Sequence, residues 1–534
     1  MKKIVLISSI VLALLVTLFS CQSNRKSNSS YDLSYTDEVE ISGGLIRGYL
    51  NSSKDVEIYK GIPYARPPVG DLRWREPQDC TPWQGVKDTV EFAPMAYQKR
   101  SLRVKTFLYN ALGRHNPKGD REDNAPMAED CLYLNIWKPA QLEGKAPVLV
   151  FIHGGGLTTG SPFYESYDGE SMAKHGIIQV NIAYRLGVFG YLATQELIEE
   201  SPNHTTGNYG LLDQIKALQW IYDNIELFGG DRNNITIAGE SAGSSSVSAL
   251  CSSPLAKGLF QRAIGESSSV VIQTPPHTFR SMQKSLETGD KIMQEFNVTT
   301  MDELRKIPAS HLIDSKYVND CMTVDGYALT EYPWQTYLKK NNNEKALLNG
   351  FNKEEAFVFT FFSKLNKNNY SDVLRLTFGD FTDEVTQIYP PLNRKEAKKQ
   401  YNKIFTSFAF AYPHHIWSSI LRESDTPVWE YYFTKDNGGI GSYHSGELIY
   451  AYGNVPDNDR NYNETDYNLE KTMQEYWINF IKTGNPNGPD LPKWDIFDEQ
   501  KGNVMELGAN ISMTEDPYME IYKVYDKYQS SLSN

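Results

Sequence analysis

Ser241 sits in the middle of Gly239-Glu240-Ser241-Ala242-Gly243. A serine hydroxyl becomes a nucleophile only when a base takes its proton, and acyl transfer also needs donors for the charge that forms on the attacked carbonyl. Small residues on both sides let a strand turn sharply into a helix and hold the hydroxyl clear of a sheet, so the Gly-x-Ser-x-Gly pattern reads as a nucleophile elbow. The apolar run 235–238 before it has strand character, and 244–251 after it is compatible with a helix. That context is what a chance match lacks.

A second apolar run, 148–152, leads into His153-Gly154-Gly155-Gly156. Without side chains, Gly155 and Gly156 can turn backbone N–H groups toward a reacting carbonyl, and the Ala242 N–H at the start of the helix would complete an oxyanion hole. No Gly-Lys-Ser/Thr follows, which argues against a phosphate cradle. The base has to come from nine histidines. His444 stands out because it follows the apolar run 428–433 through Gly438-Gly439-Ile440-Gly441 and precedes Gly446 and Glu447. A carboxylate between serine and histidine would orient the imidazole and stabilise its cation. Glu355, in Gly350-Phe351-Asn352-Lys353-Glu354-Glu355, fits that place, while spacing alone leaves Glu354 and Asp325 as rivals.

These residues need a frame. Runs 148–152, 177–184, 235–238, 346–348 with its flanks and 428–433 are of strand length, and most lack polar alternation, which suits strands buried on both faces. Between the second and third, Leu211, Leu212, Ile215, Leu218, Ile221 and Ile225 recur at helical spacing over 208–228, with Asn208 as a candidate cap and Gly229 as a stop. Strand, helix, strand predicts an α/β fold with a parallel sheet whose chemistry gathers beyond the carboxyl ends of its strands. With 534 residues, 40% hydrophobic and 22% charged, the chain can bury a large core. We expect one elaborated domain over 37–534. A net charge of −13 excludes a nucleic-acid partner, and no Cys-x-x-Cys suggests zinc or redox work. The serine chemistry requires no metal and no organic cofactor.

The N-terminus has a separate character. Lys2 and Lys3 precede an apolar run over 4–19, too short for a spanning helix, that ends in Leu18-Phe19-Ser20-Cys21. The ending resembles the lipobox of bacterial lipoproteins. It implies a signal peptide over 1–20, a lipidated Cys21, a polar tether over 21–36, and attachment to a membrane of the bacterial cell envelope. Cys80, Cys131, Cys251 and Cys321 would then remain, with their pairing open.

Beyond the motifs above, Tyr59-Lys60-Gly61-Ile62-Pro63-Tyr64-Ala65, the stretch 67–74, Glu129-Asp130-Cys131-Leu132-Tyr133-Leu134-Asn135, the stretch 181–190 and the stretch from Tyr476 to Trp494 give the chain a close resemblance to the type-B carboxylesterases from about 42 to 498. The resemblance implies an α/β-hydrolase fold with a large, mostly parallel central sheet flanked by helices and cap insertions. It implies hydrolysis of a small-molecule or polymer-borne carboxylic ester by the triad Ser241, Glu355 and His444, favouring Glu355 over its rivals. It assigns oxyanion donors to Gly155, Gly156 and Ala242, supporting roles to Glu240 and Ser267, and a structural ion pair to Arg73 and Glu129. Oligomeric state and the natural acyl and alcohol groups stay open. So do a deacylase of ester-decorated polysaccharide and a non-catalytic binding protein on the same fold.

Two departures from the family pattern stand out. Ser268 occupies a position where the family usually has Gly. Ala96 stands where relatives that close a loop by disulfide have Cys, so Cys131 has lost that mate and the loop 98–124 need not be tied at its base. That loop carries seven Lys and Arg and no Trp, which disfavours a choline ester and raises the option that a basic rim attracts acidic esters.

Overall fold

Val148, Val150 and Ile152 pack against one apolar cluster while Leu149 and Phe151, between them, pack against another. This double burial is why the strand shows no polar alternation, and it fixes the strand in the middle of a layered sheet. The computed structural model describes residues 33–100, 125–317, 320–360, 363–436, 441–459 and 461–532. The signal-peptide and Cys21 assignments, and the basic loop over 101–124, lie outside them. Residues 35–534 form one compact unit. Among the described residues no helix is long and apolar enough to cross a membrane.

An eleven-stranded sheet runs through this unit. Its strands in chain order are β1 (Tyr49–Leu50), β2 (Val56–Pro63), β3 (Tyr133–Pro139), β4 (Ala146–Ile152), β5 (Ile178–Ile182), β6 (Gly230–Glu240), β7 (Arg262–Glu266), β8 (Leu347–Asn352), β9 (Val428–Phe433), β10 (Asn503–Leu507) and β11 (Ile511–Glu515). Across the sheet the order is β11, β10, β9, β8, β7, β6, β4, β5, β3, β2, β1. Every pairing from β10 through to β5 is parallel, and the pairings outside that block are antiparallel. The carboxyl ends of β4, β6, β7, β8 and β9 therefore lie along one edge.

Two helices matter for the site. Helix α1 (Tyr209–Asn224) crosses from β5 to β6 and ends in a 3-10 turn before Gly229, whose φ of 83° is the left-handed stop expected there. Asn208 does not cap it. Its side chain instead donates to Thr323 O at 2.7 Å and accepts from Thr323 N at 3.0 Å, so a tertiary bond has displaced the local one. Helix α2 (Ala242–Ser252) follows β6 directly and is buried along its whole length.

Two bidentate ion pairs brace the elements around the site. Arg185, just past β5, grips Asp213 of α1 through two bonds of 2.7 Å in a buried pair. Removing one partner would strand the other charge at a cost of about 3–5 kcal/mol. Arg73 meets Glu129 in the same bidentate manner, at 2.5 and 2.6 Å, and also holds the carbonyls of Arg305 and Ile307.

Cys80, Cys131, Cys251 and Cys321 are all free thiols. The base of the basic loop is nevertheless joined, because Met95 and Ala96 pair in parallel with Met127 and Ala128. Gln98 adds a two-way bond with Gly160, donating to its O at 2.7 Å and accepting from its N at 2.8 Å. Our expectation of an untied base is thus corrected: backbone pairing and Gln98 do what sulfur does not.

Candidate active site

Ser241 occupies the turn between β6 and α2 with φ 56° and ψ −126°, a conformation that L-residues avoid and that only close packing can impose. The packing is visible in the neighbouring glycines. A Cβ on Gly243 would sit 2.0 Å from Ile152 O, and one on Gly239 would meet Gly243 O at 2.6 Å. The end of β4 is thus pressed onto the elbow, and Ser241 itself is only partly exposed.

The chain after β4 then passes over the serine. A Cβ on Gly154 would lie 2.9 Å from Ser241 Cβ. Tyr184 donates to His153 O at 2.8 Å, and the N–H groups of Thr158 and Thr159 hold Gly155 O at 3.2 and 3.0 Å. With that carbonyl held back, the N–H groups of Gly155, Gly156 and Ala242 have no protein acceptor among the described residues. Unpaired donors beside a strained serine are an arrangement suited to receiving an oxyanion. His153 is buried beneath the loop, stacked on Tyr184, and desolvation lowers its pKa to about 4, so it is a neutral support.

Glu355 and His444 meet at the end of β8. Glu355 is fully buried; one carboxylate oxygen accepts from Asn352 N–H at 2.7 Å and the other lies 2.5 Å from His444 Nδ1. The rivals do different work. Glu354 accepts from Ser442 N–H at 2.8 Å and bridges to Tyr443, so it clamps the loop that carries the histidine. Its carboxylate fills the space where a Cβ on Gly441 would be, which explains the glycine. Asp325 ties a turn through Tyr327 N and Leu329 N and takes a bond from Thr205.

Glu240 also reaches the imidazole, with Oε1 3.2 Å from His444 Nε2 and 2.7 Å from Ser445 Oγ. Burial would lower the His444 pKa, but the carboxylates of Glu240 and Glu355 outweigh it and lift the value from 6.5 to about 9. Burial pushes Glu240 up, with the nearby imidazolium and Ser445 opposing it. Glu447 lies deeper and accepts from Asn352 Nδ2; burial and repulsion from Glu240 and Glu355 hold its carboxyl well above the usual range.

Ser267 lies at the end of β7 with φ 59°, and its N–H bonds to Gly350 O at 2.9 Å. Its hydroxyl is buried and makes no hydrogen bond, so no side-chain link runs from it to Glu355. Motif reading had no signal for the aromatic frame of the imidazole: Phe359 and Phe410 stand 5.2 and 5.0 Å from the His444 ring, and Phe359 is 54% exposed despite its size. These phenylalanines come from segments with no recognisable pattern. Among the described residues no cluster of His, Cys, Asp and Glu could hold a metal.

The comparisons with known proteins identify the family. The sequence profile of the carboxylesterase family matches residues 35–524. The fumonisin B1 esterase of Sphingopyxis macrogoltabida is 32% identical over 480 residues, covering 86% of this chain and 85% of the relative. Carboxylesterase 1D of Rattus norvegicus is 31% identical over 522 residues, covering 88% and 89%. Among solved structures, the Geobacillus stearothermophilus carboxylesterase EST55 superposes with a TM-score of 0.78 at 29% identity, over 92% of this chain and 100% of that one. A PNB esterase gives 0.77 at 27%, over 91% and 99%. Profile, relatives and architecture agree over nearly the whole compact unit, and the chain belongs to the carboxylesterase family as a carboxylic ester hydrolase of α/β-hydrolase fold.

Proposed function

We propose that Ser241 is the nucleophile of this hydrolase, His444 its general base and Glu355 the carboxylate that orients the imidazole. The observation that carries the reading is the buried 2.5 Å contact between His444 Nδ1 and Glu355, with the other ring nitrogen 3.2 Å from Glu240, the residue directly before a serine held at φ 56°. In the first half-reaction the Ser241 hydroxyl adds to the ester carbonyl while His444 Nε2 takes its proton. Gly155, Gly156 and Ala242 receive the oxyanion, the alcohol leaves with the proton from His444, and an acyl-serine remains. Water then repeats the sequence, with His444 again as base, and the acid is released. Glu240 strengthens the base: once Nε2 carries a proton, a carboxylate 3.2 Å away stabilises the cation.

The test is hydrolysis of p-nitrophenyl acetate and butyrate by the body that begins after the tether, beside a Ser241→Ala variant of verified fold. The expected outcome is a loss of roughly 10⁴- to 10⁶-fold in kcat. Equal rates in the two proteins would overturn the assignment, and equal rates near background would favour a binding role for the cleft.

We further infer that Cys21 carries lipid and holds the enzyme at a membrane of the cell envelope. Lys2 and Lys3, the apolar run and the Leu-x-x-Cys ending support it. Cys21→Ser should move the esterase activity from the membrane fraction to the soluble one; an unchanged distribution would overturn the anchor.

A further inference from the structure

Ser445, directly after His444, has φ 70°, a backbone conformation that glycine adopts freely and other residues avoid. Its side chain shows what a serine does there. The hydroxyl donates to Glu240 Oε1 at 2.7 Å, and the same oxygen lies 3.2 Å from His444 Nε2. The other carboxylate oxygen, Oε2, faces the turn after β4, where a Cβ on Gly154 would come within 2.9 Å of it. Glu240 is thus wedged between the glycine turn, the imidazole and Ser445.

The loop that carries the histidine is held from two strands. From β8, Asn352 Nδ2 donates to Tyr443 O at 2.8 Å and the Glu354 N–H donates to Ser442 O at 3.1 Å. Toward β6, the Ser445 hydroxyl holds Glu240, so the bond joins the residue after His444 to the residue before Ser241. A hydrogen bond to a carboxylate favours its charged form, and a carboxylate beside an imidazole favours the cation. Ser445 therefore acts on His444 through Glu240. Burial raises the Glu240 pKa, and His444 and then Ser445 draw it back down. Other titratable groups face the pair: Glu355 beyond β8, Glu266 at the end of β7, Glu447 and Tyr452 after His444, Tyr184 after β5, and His277 beside the imidazole. Burial holds Glu447 and Tyr452 well above their ordinary values and lifts Glu266 to about 8, so Glu266 changes charge in the same range as His444.

We propose that Ser445 is a positioning residue of the hydrolase: its hydroxyl fixes the Glu240 carboxylate against His444 Nε2, where it stabilises the imidazolium formed in each half-reaction. This rests on the serine-esterase reading above, in which His444 is the base.

The experiment follows the pH dependence of kcat/KM for p-nitrophenyl butyrate in Ser445→Gly and Ser445→Ala, each alone and combined with Glu240→Gln. Glycine accepts φ 70° and alanine does not, so an effect shared by the two belongs to the lost hydroxyl and not to backbone strain. Both should lower the alkaline plateau roughly 3- to 10-fold, the size expected of one hydrogen bond. Both should also move the rising limb to lower pH by about half a unit, because a carboxylate that loses a donor takes up a proton more readily and favours the cation less. With Gln at 240, neither should move the limb further. A limb that stays in place in both single variants would overturn the proposal. So would a limb that moves equally with Gln at 240, which would assign the shift to Glu266 or to the loop itself. Nitrogen-15 titration of His444 in the Ser241→Ala protein reads the same shift without turnover and separates the proposal from its parent. A titration that moves with Ser445→Gly while the kinetic limb does not would remove His444 as the base; a titration that stays in place would remove Ser445.

Discussion

The floor of the site and its aromatic wall are built on different principles. On the floor, position is set by backbone: the ends of β4, β6 and β8 deliver Gly155, Ser241 and Glu355, and glycines allow the approaches that a Cβ would block at 2.0 to 2.9 Å. On the wall, position is set by side chains from segments far apart in sequence, with His277, Phe359, Phe405 and Phe410 meeting as rings at 5.5 to 6.1 Å. A floor of this kind tolerates little change of sequence and acts on any ester that reaches it. A wall of this kind can be re-lined without moving the reacting atoms, and so can change which ester reaches them.

The largest effect should come from Glu355→Gln, which keeps the shape but removes the charge beside His444. We expect kcat to fall by roughly 10³- to 10⁴-fold for acetate and butyrate alike. A change in the butyrate-to-acetate ratio would break the division between floor and wall. Gly243→Ala comes next, because its Cβ would meet the Ile152 carbonyl, a backbone atom with nowhere to go. Overpacking of this kind costs about 1–3 kcal/mol; a lowered unfolding midpoint and a loss of about 100-fold in kcat/KM are expected, again with no change in preference.

Phe359→Ala should do the converse. This half-exposed ring lines the approach to His444, and its removal should lower the butyrate-to-acetate ratio by about tenfold while acetate turnover stays within a few-fold of wild type. The smallest effect is a shift in pH. The proposed base, His444, can take a proton only when neutral, and with its pKa lifted to about 9 the proposal has kcat/KM at low substrate climbing through the alkaline range. Glu240→Gln removes a charge that favours the cation, so the rising limb should move to lower pH, by about one unit. A limb that stays in place would show that Glu240 does not act on Nε2.

How much the sequence revealed follows the same division. The apolar run 428–433 is the strand Val428–Phe433, because a strand buried on both faces declares itself by composition. The first half of β6 was not legible: Asp231, Arg232, Asn233 and Asn234 carry no apolar signal, and the ladder there is interrupted by a register shift. The short antiparallel edge strands escaped for a related reason, since partial exposure removes the continuous run. At the site, the elbow and the glycine turn were readable because a backbone constraint leaves glycines behind. The contact of Glu240 with His444 was not, because the position before the serine is unconstrained in the elbow pattern. Nor was His277, whose neighbours Ser268 and Phe410 come from different parts of the chain.

The pairing of Met95 and Ala96 with Met127 and Ala128 has a practical consequence for making and handling the enzyme. Hydrogen bonds, unlike sulfur bridges, form equally well under reducing conditions, and the thiols of the catalytic body are all free. Residues 35–534 produced in a reducing cytoplasm should fold without an oxidation step or an isomerase, and dithiothreitol should leave their esterase activity intact.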